Sequence, residues 1–181
     1  MKKVIFLAIL MTALIAGCTS TPKNYSFQDG INELQAIDSK YNATAKETPH
    51  ENIAPMKAEL INFKNKLTSF NESKEITALD LLTTIKLNIL DSQFALQNSQ
   101  TEFEKYPYNC NILSSGLKNL EFFMSNTTLV VENLNKFISG YPELLEQTNI
   151  NQNRIADFNN ALNETGNILQ QVNSTYEIQC K

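Results

Sequence analysis

The sequence predicts an all-α fold, an elongated up-down antiparallel bundle of four to five helices within residues 26–181. Apolar residues recur at spacings of three and four along five segments, as they do on one face of an α-helix. No segment shows sustained apolar–polar alternation bounded by hairpin turns, so we expect no sheet. The connections between the five segments are short, which favours antiparallel neighbours in a bundle.

The first two predicted helices are the shorter ones. Ser26 and Asp29 have the spacing of a capping box and mark the start of the first helix. Residues 46–52 interrupt the apolar pattern and are interpreted as a loop. The second helix is predicted over about 53–70, with Pro55 in its first turn, where a missing backbone N–H is tolerated.

The last three predicted helices are about half as long again as the first two. The third, about residues 74–105, carries apolar residues in two stripes, so we expect it to pack on two sides as the central helix. Residues 106–109 turn the chain into a fourth helix that ends near Gly140. Pro142 is suited to the first turn of a new helical segment, which leads into the fifth helix.

The first eighteen residues have the organisation of an export signal. Lys2 and Lys3 precede an apolar run over residues 4–15, which is shorter than the roughly 20 residues that span a bilayer. Leu14-Ile15-Ala16-Gly17-Cys18 resembles the lipobox of bacterial and some archaeal lipoprotein signals. The resemblance implies cleavage before Cys18 and acylation of that residue.

This interpretation predicts how the chain is divided and where it resides. Residues 1–17 would be the signal peptide, 18–25 a lipidated tether and 26–181 the helical domain. We expect an exported protein, held through acylated Cys18 on the cell membrane or the outer membrane and facing the periplasm or the exterior. An envelope protein is the partner that this location favours.

Cys110 and Cys180 remain as one pair once Cys18 is acylated. In an oxidising compartment they are expected to form a disulfide, the alternative being two free thiols. Facing residues of an antiparallel hairpin keep a nearly constant sum of residue numbers, so this bridge centres the turn near residue 145. It therefore predicts a helix break at residues 149–151, whereas one unbroken fifth helix with a folded-back tail is the alternative.

Composition argues against several classes of chemistry. Without Lys2 and Lys3 the chain has 13 basic and 19 acidic residues, a net charge of −6, which offers no basic face for nucleic acid. Glu47 and His50 have the Glu-x-x-His spacing of di-metal sites, but no second histidine exists and Pro49 separates them. We predict an exposed polar loop there, with no metal, no cofactor and no enzymatic activity.

Two further features of the sequence are weaker signals. Five Asn-x-Ser/Thr acceptors offer N-glycosylation in a host that has the transferase. They are Asn42, Asn71, Asn126, Asn163 and Asn173. Arg154 is the only arginine, and we interpret it as a surface charge or a member of a local salt bridge.

Two hypotheses for the function follow. The first is a non-catalytic binding or structural module of the cell envelope, whose interaction tip is Tyr106-Pro107-Tyr108 at the membrane-distal end. The second is a small-ligand carrier or weak enzyme with a pocket between the long helices, using Ser92 and Ser99. A large cavity with convergent polar groups would favour the second, and a filled core would remove it. We expect a monomer rather than a coiled-coil oligomer, since five helices can bury one another's apolar faces.

Overall fold

The computed structural model of this protein describes residues 25–44, 47–105, 109–148 and 150–181. In these ranges the chain is helical without strands, which confirms the predicted all-α antiparallel bundle. The helices are α1 (Phe27–Lys40), α2 (His50–Leu67), α3 (Lys74–Phe103), α4 (Cys110–Gly140) and α5 (Gln152–Cys180), with a 3₁₀ segment (Pro142–Gln147) between α4 and α5. None of the described helices is long and apolar enough to cross a membrane.

Polar side chains fix the starts of four helices. At α1 the predicted capping box is present, since Asp29 N donates to Ser26 Oγ and Ser26 N donates to the Asp29 carboxylate. Ser73, Asn109 and Asn151 accept backbone N–H groups at the starts of α3, α4 and α5. These caps satisfy donors that have no partner inside the helix and so determine where each helix begins.

Helix α2 begins earlier than the apolar pattern predicts. Its first residue is His50, directly after Pro49, so His50 is helical and not part of a loop over 46–52. Pro55 consequently lies inside the helix and not in its first turn. The pattern misplaced the start because the first residues of α2 are polar, and only Ile53 begins the buried face.

Helix α3 is the central helix, as its two apolar stripes predict. It packs against α1, α2 and α4. The innermost part of the core between these four helices is closed, since its members have no solvent exposure: Leu60, Ala78, Leu79, Val130 and Phe137. Their burial supplies most of the driving force for association of the four helices.

Ion pairs between neighbouring helices report how the first three helices are aligned. Lys40 meets Glu59 and Lys66 meets Glu33, as expected for antiparallel α1 and α2. Lys86 Nζ lies 2.6 Å from Asp38 Oδ2 between α1 and α3, which run in parallel. Each pair is partly exposed and screened by solvent, so the pairs align helices that apolar burial holds together.

Helix α5 packs chiefly on α4 and leaves much of its surface open. Only Ile155 and Thr165 of α5 are buried. The predicted break before α5 is confirmed, because the 3₁₀ segment and an extended Thr148 separate it from α4. The facing pairs Cys110–Cys180 and Met124–Gly166 both have residue numbers that add to 290, so a single antiparallel register runs along the hairpin.

Candidate functional site

Two of the predicted sites lie outside the described residues. Cys18, the predicted lipidation site, belongs to the first 24 residues, and Tyr106-Pro107-Tyr108 belongs to the connection between α3 and α4. Both therefore stay predictions. The nearest described neighbours of the predicted tip are Lys105 at the end of α3 and Asn109 at the start of α4.

The predicted disulfide joins the first residue of α4 to the last residue of α5. The Cα atoms of Cys110 and Cys180 lie 5.6 Å apart and their sulfur atoms are bonded. The bridge closes the end of the hairpin at which α5 buries least, since Ile178 is 84% exposed there. It thus holds in place a helix end that packing alone holds weakly.

The five glycosylation acceptors differ in accessibility. Four of them are exposed: Asn42, Asn71, Asn163 and Asn173. Asn126 is only 8% exposed, and its Nδ2 donates to the Phe122 carbonyl within α4. A glycosyltransferase could reach the first four in the folded protein, whereas Asn126 would have to be modified before α4 packs.

His50 takes part in a structural contact at the start of α2. Its ring stacks on Phe94 with centroids 5.0 Å apart, and Nε2 lies 3.1 Å from Asn98 Oδ1. The residues that the structure describes contain no group of three His, Cys, Asp or Glu side chains placed to hold a metal. Glu47 and His50 therefore belong to no metal-binding group among the described residues.

A large cleft lies where α5 leaves α3 uncovered. We call it the α3–α5 cleft; it measures about 460 Å³, with α3 and α5 as walls and α4 as floor. Its apolar lining consists of Ile89, Leu96, Phe123, Phe158 and Ala161. A volume of this size is in the range of small-molecule and peptide sites.

Polar side chains from α3 and α4, one wall and the floor, also line the cleft. Ser92 Oγ donates to the Asn88 carbonyl at 3.0 Å and accepts from Thr127 Oγ1 at 3.1 Å. Gln93 is 8% exposed, and neither its Nε2 nor its Oε1 has a hydrogen-bond partner among the described residues. A buried amide without partners costs about 1–3 kcal/mol, which makes it a group that a ligand can satisfy.

Of the two serines proposed for a pocket, only one lines the cleft. Ser99 is buried further along α3, where its hydroxyl donates to the Gly116 carbonyl at 3.3 Å. Gly116 permits this close approach, and the Phe103 ring also lies against it. Ser92 belongs to the cleft, and Ser99 has a packing role between α3 and α4.

The charged residues of the cleft come from α5. Arg154 is half-buried, while Asp157 and Glu164 are exposed at the rim. Arg154 also lines an adjoining cavity of about 270 Å³ between α1, α3 and the 3₁₀ segment, together with Ile89 and Phe158. The guanidinium therefore lies where the two spaces meet.

The predicted local salt bridge of Arg154 is not observed in the part of the chain that the structure describes. None of the ion pairs found there includes this residue. The other cation of the region, Lys86, is neutralised by Asp38, at 2.6 and 2.8 Å from its two carboxylate oxygens. Among the described residues that line these cavities, Arg154 is thus the cation without an ion-pair partner.

Two surface carboxyls whose pKa is lowered by a lysine lie outside the cleft. Hydrogen bonds from Lys40 and Tyr41 lower the pKa of Glu59, which joins α1 to α2. Similarly, Lys74 lowers the pKa of Glu143 at the link between α3 and the 3₁₀ segment. Both couplings stabilise helix contacts outside the cleft.

Sequence reasoning missed Gln93 and Arg154 as cleft residues. Ser92 was recognised because it is a polar residue on a helix face that is otherwise apolar, and this is a usable signal for a polar site inside a bundle. Gln93 lies beside the apolar face of α3 and not on it, so only the position of α5 decides that Gln93 lines a cavity.

Comparison of the chain with known protein families, curated proteins and solved structures found no match.

Proposed function

We propose that this protein is a lipid-anchored, non-catalytic binding module of the cell envelope, and that the α3–α5 cleft is its binding site. The observation that carries the proposal is the cleft itself, which combines an apolar lining with the unsatisfied amide of Gln93. A cavity with convergent polar groups is the feature that the second sequence hypothesis, a pocket between the long helices, requires.

The chemistry of the lining supports binding over catalysis. The cleft offers an amide, hydroxyls, carboxylates and one guanidinium, which hold a ligand by hydrogen bonds and ion pairs. His50, the only histidine in the sequence, is hydrogen-bonded to Asn98 and does not line the cleft. The lipobox-like sequence supports the anchor, and the Cys110–Cys180 bridge is of the kind that persists in exported proteins.

The anchor is tested by the intact mass of the protein extracted from membranes. The expected mass lacks residues 1–17 and carries a diacylglyceryl group on Cys18. Alkylation should add mass only after reduction, because Cys110 and Cys180 are bridged. An uncleaved or unlipidated mass would remove the anchor from the proposal.

The cleft is tested with a variant that fills it. Ala161 is half-buried in the wall, so Ala161→Phe should occupy part of the space and leave the closed core intact. Small molecules extracted from the producing cells should raise the melting temperature of the wild type and not that of Ala161→Phe. Equal shifts in both proteins, or none in either, would contradict a binding site in the cleft.

A further inference from the structure

We propose that the α3–α5 cleft binds a short extended peptide with free termini, with its carboxylate at Arg154 and its ammonium group at Glu164. The inference rests on the proposed function and names the ligand of that site. It follows from the arrangement of charges along α5, from the unpaired amide of Gln93 and from the apolar lining between them.

Arg154 defines the end of the cleft that receives an anion. The guanidinium is half-buried and has no ion-pair partner among the described residues, although it lines both cavities. A guanidinium binds a carboxylate through two parallel hydrogen bonds, and this pairing is stronger where water is partly excluded. Glu146 and Asp157 also line these spaces, but both are exposed and remain hydrated.

Glu164 defines the other end of the peptide. It lies ten residues after Arg154 on the same helix, which is about 15 Å along the axis. An extended chain covers about 3.3–3.6 Å per residue, so about four residues join the two charges. Glu164 makes this end of the rim negative, which suits an ammonium group and disfavours an anion there.

Gln93 lies on the opposite wall, and its carboxamide forms hydrogen bonds with the backbone of the peptide. In an extended chain the N–H and C=O groups of one residue point to the same edge. A carboxamide has one acceptor and two donors, and it can pair with both groups after its side chain rotates toward the cleft. Pairing removes the unfavourable burial of an amide that has no hydrogen-bond partner among the described residues.

The apolar lining favours apolar side chains between the two termini. Phe123 forms the floor, Leu96 belongs to α3 and Phe158 to α5. An anionic amphiphile would also use Arg154 and this lining. It would however make no use of the carboxylate of Glu164, so the peptide pairs with more of the site.

The test compares one peptide with its end-blocked forms. The probes are Ala-Leu-Leu-Ala with free ends, its C-terminal amide and its N-acetyl form, titrated by calorimetry into the full protein in phosphatidylcholine vesicles. We expect each blocked end to weaken binding to the wild type by about tenfold, as for loss of a charge-assisted hydrogen bond. Sodium dodecanoate is titrated in parallel as the amphiphile.

Charge-neutral variants assign each end of the peptide. In Arg154→Gln the amidated and free peptides should bind equally, while in Glu164→Gln the acetylated and free peptides should do so. Arg154→Lys should keep a preference for the free carboxylate. Lys136→Gln, which changes an exposed cation on α4 outside the cleft, should match the wild type in every titration.

Three results would overturn the peptide assignment. They are equal affinity of the wild type for all three peptides, tighter binding of dodecanoate that is lost in Arg154→Gln, and no binding of any peptide. If no peptide binds while extracted molecules still stabilise only the wild type and not Ala161→Phe, the ligand class is wrong and the cleft proposal stands. If that stabilisation is absent too, both proposals fail.

Discussion

Two glycines inside helices offer a matched test of the packing. An ideal Cβ at Gly30 would lie 2.4 and 2.5 Å from the two terminal carbons of Leu79, which has no solvent exposure. An ideal Cβ at Gly166 would lie 3.8 Å from Met124 Cε, an ordinary contact distance. The same change, glycine to alanine, therefore meets a fully buried side chain at close range at one position and an ordinary contact at the other.

The expected effects have opposite signs. Alanine in a helix is more favourable than glycine by about 0.5–1 kcal/mol, and this is the whole effect expected for Gly166→Ala. At Gly30 the clash with Leu79 adds a penalty of about 1–3 kcal/mol for overpacking. With so close an approach to a fully buried side chain we expect the upper part of that range, and a net loss of about 2 kcal/mol.

Thermal unfolding followed by circular dichroism measures both variants. For a chain of this size 1 kcal/mol changes the melting temperature by about 2–4 °C. Gly166→Ala should melt up to about 4 °C above the wild type and Gly30→Ala about 4–8 °C below it. A Gly30→Ala protein as stable as the wild type would show that α1 does not pack on α3 as closely as described. Destabilisation by Gly166→Ala would instead refute the spacing of α4 and α5.

The remaining predictions concern the bridge, one ion pair and one glycosylation acceptor. Replacing Cys110 and Cys180 by serine should lower the free energy of unfolding by about 4 kcal/mol on the chain-entropy model, and hydrogen exchange should quicken first in α5. Unchanged exchange in α5 would contradict its weak packing. Because Lys40 lowers the pKa of Glu59, the folded carboxylate stabilises the protein above the unfolded-state pKa, near 4.5, and that contribution is lost as the pH falls further. Chemical denaturation between pH 6 and 3 should accordingly show a smaller loss for Glu59→Gln than for the wild type, and equal losses would refute the coupling. In a host that glycosylates the chain, peptide mapping should find no glycan on Asn126; an occupied Asn126 in folded protein would contradict its burial.

Most of the fold was predictable because helix periodicity is a local property. The 3–4 spacing of apolar residues gave five helices, and the two stripes of the third identified the central helix. The sequence positions of Cys110 and Cys180 also predicted the break before α5, since an antiparallel hairpin constrains which residues face each other. The start of α2 was missed because polar residues there follow no periodic pattern, and a helix boundary of this kind is set by contacts such as that of His50 with Phe94.

The candidate site was predictable only in part. Polar residues on the apolar faces of the long helices indicated a site between those helices. Ser92 lines the α3–α5 cleft, as that hypothesis required. Ser99 has the same phase and is used for packing against Gly116. The position of a residue around the helix axis could not distinguish the two serines. It predicts that a residue faces a neighbouring helix, but not how far away that helix lies.

The sequence by itself determined the helical class, the order of the helices, the cysteine pairing and the resemblance of residues 14–18 to an export signal. Each depends on residue types at short spacing or on a small number of cysteines. Only the tertiary structure decided that α5, while paired with α4, leaves α3 uncovered. That arrangement opens the cleft, leaves the amide of Gln93 without a partner and brings Arg154 to the junction of two cavities. The physical reason is that helix periodicity fixes which face is apolar, whereas the distance between two such faces depends on every side chain packed between them.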